Sequence, residues 1–278
     1  AAVLRDNIVK WGAEQVVVTN NDPKDFAGLE SFFDVLVVDA PCSGSGLFRR
    51  DPEAIGEWSL NNVQLCSQRQ QRILADCWPA LKENGLLIFS TCSYSREEDE
   101  EIMDWIQQEL DAENCPLKIN EEWGIQETAS PGGNLGYRFW PDKVKGEGFF
   151  LACFRKRNGE APGQIKPKKL PERVTRAEKE FVTLWMNITG KELIKHQQTV
   201  YAWPEELFHD FSVLLEKMKV VYSGVKAGEL MRDKLVPDHA LAMSGLVLAP
   251  VKRIDLTAEE AIRYLQRKEI RLEGVPTG

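Results

Sequence analysis

No stretch of the sequence approaches the roughly 18 consecutive apolar residues that span a bilayer, so no membrane-spanning helix is expected. A basic start followed by an apolar stretch is also lacking; the chain opens Ala1-Ala2-Val3-Leu4-Arg5-Asp6, and no secretory leader is expected. Both absences point to the cytoplasm. Histidine is scarce: His196, His209 and His239 all lie in the second half, so nothing in the first half supplies a Cys–His or Ser–His pair. The cysteines at 42, 66, 77, 92, 115 and 153 include no C-x-x-C spacing, which argues against a zinc ribbon or a thioredoxin-type site, and no metal is expected. A disulfide framework would be out of place in an intracellular chain of 278 residues.

What is present is a globular composition, 43% apolar and 28% charged, long enough for one large domain or two ordinary ones. The net charge of −8 is unevenly spread. Residues 1–160 carry 16 Lys and Arg against 27 Asp and Glu, whereas residues 161–278 carry 19 against 16. The second half is therefore the better electrostatic candidate for a nucleic-acid surface.

Helical spacing over residues 1–11 stops at Gly12, and Val16–Thr19 reads as a short strand. Asp34–Asp39 and Leu86–Ser90 are apolar runs of the kind found in parallel strands buried on both faces. Between them a long helix is expected over 60–82, ended by Asn84-Gly85. Ser95-Arg96-Glu97-Glu98 forms a capping-box pattern opening a helix to about Leu110. Tyr137–Trp140 and Gly148–Arg155 are expected as two late antiparallel strands. This alternation predicts an open, mostly parallel α/β sheet whose function collects at the strand carboxyl ends, where Asp22, Asp39 and Cys92 fall. Residues 158–174, rich in Pro, Gly and Lys, read as a linker between a domain at 1–157 and an α+β region at 175–278. In that region a helix is expected near 176–187, strands at Thr199–Trp203, Val220–Tyr222 and Leu246–Val251, and a helix capped by Thr257.

Two segments carry the chemistry. Asp39-Ala40-Pro41-Cys42-Ser43-Gly44-Ser45-Gly46 delivers an acid, a rigid turn, a thiol and a glycine-rich stretch from the end of one apolar strand. Ser90-Thr91-Cys92-Ser93-Tyr94-Ser95 delivers a second thiol from the end of another. Cysteines in such polar loops differ from Cys66, Cys77, Cys115 and Cys153, which read as small packing residues.

Together with Phe48-Arg49-Arg50-Asp51-Pro52, Tyr137-Arg138-Phe139-Trp140-Pro141 and Gly146-Glu147-Gly148-Phe149-Phe150, these segments resemble the Sun-type family of RNA cytosine-5 methyltransferases, in particular the bacterial branch that modifies 16S ribosomal RNA. The resemblance implies a Rossmann-like class I methyltransferase sheet, S-adenosylmethionine as cofactor, ribosomal RNA as partner and a small PUA-like (pseudouridine-synthase-and-archaeosine-transglycosylase-like) accessory region that docks RNA. It also implies that Cys92 adds to C6 of cytosine, that Cys42 assists product release, and that Asp39 bonds the base edge near the cofactor. Asp22 matches an acid beside the adenine end of the cofactor, although Asn20-Asn21-Asp22-Pro23 also reads as a plain turn. Arg49, Arg50 and Lys145 are weaker candidates for phosphate contacts.

The family's glycine-rich cofactor loop and the following strand with its ribose-binding acid are absent, so a sheet lacking its N-terminal strands is expected, in a fragment that binds cofactor weakly. Three other readings stay open: a transfer-RNA substrate, methylation of an exocyclic amine, which needs no thiol, and a non-catalytic RNA-binding piece.

Overall fold

A computed structural model describes residues 1–159, 165–248 and 254–270, which form two compact units: residues 21–165, and residues 1–20 together with 166–278. The units divide at 165/166 rather than at 157, and a second division, not expected from sequence, lies between Asn20 and Asn21.

Helix α1 (Ala2–Trp11) ends as expected at Gly12, whose left-handed backbone (φ 72°) lets its N–H reach the carbonyls of Ile8 and Val9. Strand β1 (Val17–Thr19) forms where the sequence indicates, but not in the α/β sheet. It pairs antiparallel with Val220–Ser223 of the later unit, and Val17 packs against Ile194, Trp203 and Phe211. Packing of Val17 against that core, together with burial of Val18, favours the pairing.

The unit at 21–165 begins with β2 (Phe33–Asp39), α2 (Ala54–Glu57) and α3 (Leu60–Cys77). The helix is shorter than the sequence suggests because Pro79 cannot continue it; Trp78–Ala80 tightens to a 3₁₀ turn. Strand β3 (Leu81–Thr91) starts correspondingly early, and Asn84 (φ 61°) and Gly85 fall within it. Then come α4 (Glu100–Glu109), β4 (Ala112–Asn114), β5 (Gln126–Ala129), β6 (Leu135–Phe139) and β7 (Phe149–Lys156). The sheet order is β2-β3-β7-β6-β5, with β4 beside β7. Only β2 and β3 run parallel; the other pairs are antiparallel, so the sheet is mixed rather than mostly parallel. The few residues between β6 and β7 allow only a return, not a crossover.

Leu87, Phe89, Phe150 and Phe154 are fully buried beneath Leu74 of α3 and Ile102, Met103 and Ile106 of α4. The opposite face is less covered. Val35 and Val37 of edge strand β2 are 49% and 62% exposed, so the expectation of burial on both faces fails here.

The remaining residues form α5 (Arg176–Thr183), β8 (Lys191–His196), β9 (Thr199–Pro204), α6 (Phe208–Lys217), β10 (Val220–Ser223), β11 (Val225–Met231), β12 (Lys234–Pro237), α7 (His239–Met243) and α8 (Ala258–Leu265). Four strands pair in the order β12-β11-β9-β8 over a core of Val182, Leu193, Val200, Val225 and Leu235. Capping boxes at Thr175 and Thr257 start α5 and α8. Of the strand expected at Leu246–Val251, Val247 makes a single bridge to Met186; residues 249–251 lie outside the described residues. Among the described residues, no helix is long and apolar enough to cross a membrane.

Candidate active site

Because β2 and β3 are parallel neighbours, both chains leave the sheet at the same end. Asp39 is level with Ser90, so the two loops that follow emerge side by side. Cys42 Sγ and Cys92 Sγ lie 2.9 Å apart, both partly exposed. Asp39 is exposed above them and accepts a hydrogen bond from Ser90 Oγ (3.0 Å). The structure thus brings together three of the residues singled out from sequence.

The sulfurs are electrostatically unequal. Either sulfur can be the donor in this contact; it holds the Cys92 thiol down at about 7 although burial and the charges of Asp39 and Glu98 push it up. Cys42 is driven well above the ordinary thiol range by the same bond and by its own burial. Of the two sulfurs, Cys92 is the one more readily ionised, and the contact between the thiols favours that ionisation without a histidine.

Backbone and buried side chains lace the two loops together. Gly46 N–H donates to the Cys92 carbonyl (2.8 Å), and Gly148 N–H to the Gly46 carbonyl (3.0 Å). A Cβ at Gly46 would stand 2.6 Å from both the Cys92 and the Gly148 carbonyl oxygens, so only glycine allows this approach. Tyr94 N–H donates to Ser45 Oγ (2.8 Å), and Gln70 of α3, fully buried, donates to the Pro41 carbonyl (3.0 Å).

Glu98 departs from its expected role. No side-chain cap forms at Ser95, and the Glu98 carboxylate is instead buried, accepting from Ser43 N–H (2.7 Å), Ser43 Oγ (2.6 Å) and Ser93 Oγ (2.6 Å). Three converging donors outcompete the local backbone. Beneath the loop, Thr91 Oγ1 donates to Asp99 (2.6 Å) and accepts from Ser93 N–H (3.2 Å). Arg138 of β6 pairs with both Asp99 and Glu100. Burial pushes Asp99 well up against the opposing pull of Arg138; for Glu100 burial also pushes up, but the two Arg138 bonds outweigh it and the net direction is down. Tyr94 stacks on Trp140 with centroids 4.8 Å apart.

Asp22 is not drawn to the thiols. It is exposed, and its carboxylate accepts from Lys24 N–H to cap the 3₁₀ turn Pro23–Leu29, as the turn reading of its sequence has it. Arg49 is engaged by Glu147 and the Gly146 carbonyl (2.7 Å). The packing role read for Cys77 and Cys153 agrees with their burial, which raises both thiols, Cys77 to about 11. Among the described residues, no group of three or more His, Cys, Asp and Glu stands close enough to hold a metal.

Sequence comparison gives the family in which this arrangement occurs. A family model described as 16S rRNA methyltransferase RsmB/F matches residues 1–155, and one described as RsmF rRNA methyltransferase first C-terminal domain matches residues 178–244. The chain belongs to the 16S rRNA methyltransferase RsmB/F family. It is 28% identical over 285 residues to a ribosomal RNA small subunit methyltransferase F of Shewanella sp. strain MR-4, covering 98% of this chain and 59% of that protein. The protein of the same name from Shewanella piezotolerans is 26% identical over 279 residues, covering 97% and 58%. The chain therefore spans less than two thirds of the length of these relatives. Among solved structures, NSun6 from Pyrococcus horikoshii with SFG matches at 23% identity and a TM-score of 0.46, over 56% of this chain and 38% of that one. A methyltransferase homolog protein from Pyrococcus horikoshii matches at 33% identity and a TM-score of 0.37, over 45% and 39%.

Proposed function

We propose that the chain carries the catalytic thiols of an S-adenosylmethionine-dependent cytosine-5 methyltransferase acting on small-subunit ribosomal RNA in the cytoplasm. The observation that carries this reading is the 2.9 Å approach of Cys42 and Cys92 at the ends of adjacent parallel strands, beside Asp39. Cytosine C5 is a poor nucleophile. Once the base has left its stack, the Cys92 thiolate adds to C6, and the double-bond electrons move into the ring and leave C5 electron-rich. As the adduct forms, N3 takes up a proton from solvent that neutralises the developing charge, and Asp39 accepts hydrogen bonds from the protonated N3/N4 edge.

S-adenosylmethionine, when bound, supplies an electrophilic methyl group. The residues present fit it in part: Asp39 is exposed and keeps acceptor capacity beyond its Ser90 bond, while Asp22, one of whose oxygens caps a turn, is the acid assigned to the adenine end. After methylation the C5 proton must go. The Cys92 sulfur, now bonded to C6, no longer carries the charge that keeps Cys42 protonated. Cys42 can then ionise and take the C5 proton while the S–C6 electrons return to Cys92.

The test is covalent trapping of the complete protein on 5-fluorocytidine-substituted 16S RNA, with the attached peptide identified. The expected adduct is on Cys92 and vanishes in Cys92→Ala, whereas Cys42→Ala accumulates adduct on unmodified RNA. Full methyl transfer by Cys92→Ala would instead point to exocyclic-amine chemistry, and trapping on transfer RNA alone would move the substrate.

A further inference from the structure

Glu98 is a fully buried acid in the first turn after the Cys92 loop, yet it neither caps a helix nor pairs with a cation among the described residues. Its donors come from Ser43 and Ser93, the residues immediately following Cys42 and Cys92. We propose that Glu98 is a positioning residue whose carboxylate ties the two cysteine loops to each other and sets the approach of the two sulfurs, a role that rests on the reading of Cys92 and Cys42 above.

Two observations separate this role from electrostatic activation. The Glu98 charge acts on Cys92 in the unhelpful direction, raising its thiol, as does Asp39; Cys42 alone among the facing groups lowers it by side-chain contact. The geometry is also specific. Ser43 N–H is a fixed donor that only an oxygen can satisfy, and Ser93 Oγ, besides donating to Glu98, accepts from Ser95 N–H (3.0 Å), so it carries the tie into the turn. What Glu98 contributes is shape, at an electrostatic disadvantage that the Cys42 bond overcomes.

Shape and charge predict opposite shifts. Iodoacetamide labelling of the Cys92 peptide against pH, read by mass spectrometry on the full chain, reports the thiolate without requiring methyl transfer. Glu98→Gln keeps the oxygen facing Ser43 N–H and removes the charge, and the serine hydroxyls can rotate to accept from its amide; its labelling midpoint should stay at or below the wild-type one. Glu98→Ala loses the tie, so the sulfurs separate and the midpoint should climb toward a free thiol's, with labelling at pH 7 about tenfold slower. Ser93→Ala retains the charge and the Ser43 bonds but removes the Cys92 loop's own bond to Glu98, while the Gly46–Cys92 and Tyr94–Ser45 bonds remain. It should shift like Glu98→Ala, and it serves in its place if that variant fails to fold. A midpoint that falls in Glu98→Ala, or stays unmoved in Ser93→Ala, would overturn the positioning role. Opposite shifts with no RNA adduct on Cys92 would uphold the tie while removing the methyltransferase reading.

Discussion

At the scale of single residues, the site depends on the contact between two thiols. Cys92 titrates at about 7 because the Cys42 thiol supports its charged form, so its reactivity should rise as pH climbs through 7. In Cys42→Ala that contact is gone while burial and the Asp39 and Glu98 charges remain, all acting upward. The Cys92 labelling midpoint should therefore move up by more than one unit, with a rate at pH 7 about tenfold lower and little difference above pH 9. An unchanged midpoint would remove Cys42 from the activation. Cys42, Cys92 and Asp39 were legible in the sequence because apolar strands ending in polar loops announce their carboxyl ends. Glu98 was not: its spacing from Ser95 matches a local cap, while two of its three bonds come from Ser43, 55 positions away, and nothing nearby in sequence announces them. Asp22 shows the reverse case, where the plain turn chemistry of Asn-Asp-Pro accounts for the bond that the side chain makes.

At the scale of elements, β3 is held in place from below as well as beside. Arg138 on β6 reaches Asp99 and Glu100 at the head of α4, and Asp99 takes the Thr91 hydroxyl at the end of β3. Removing the guanidinium leaves the Glu100 carboxylate, with Asp99 beside it, buried without its cationic partner. Arg138→Ala should cost about 3–5 kcal/mol in chemical denaturation, far more than an exposed pair such as Arg157–Glu113, which is worth about 1 kcal/mol or less. A loss under about 1 kcal/mol would show that the network does not anchor α4. The elements that could be read in advance are those with apolar periodicity: α1, β2, the body of β3, β6 and β7. Strands β4 (Ala-Glu-Asn) and β5 (Gln-Glu-Thr-Ala) could not, being short and polar; they exist because neighbours offer ladder partners. Helix α4 begins later than its apparent cap because Glu98 is engaged elsewhere.

At the scale of the whole molecule, the charge imbalance between the two halves makes the later unit, with the basic stretch leading into it, the place to test for RNA contact. Lys166, Lys168 and Lys169 are exposed, and the two hydrogen bonds to Glu216 come from backbone N–H groups, leaving the ammonium groups outward. Replacing all three by Glu should weaken RNA binding and flatten the dependence of log K on log salt by roughly 0.7 for each phosphate no longer neutralised. An identical slope would place the RNA elsewhere on the protein. The molecule is also not two consecutive beads. Residues 1–20, which read in sequence as the opening of the α/β domain, belong with 166–278, and β1 completes its ladder only against Val220–Ser223. That ladder imposes a delay on the nascent chain. Thr19 leaves the ribosome about 200 residues ahead of its partner, so at about 5–20 residues per second the first segment waits about 10–40 seconds while the thiol-bearing sheet is already able to form.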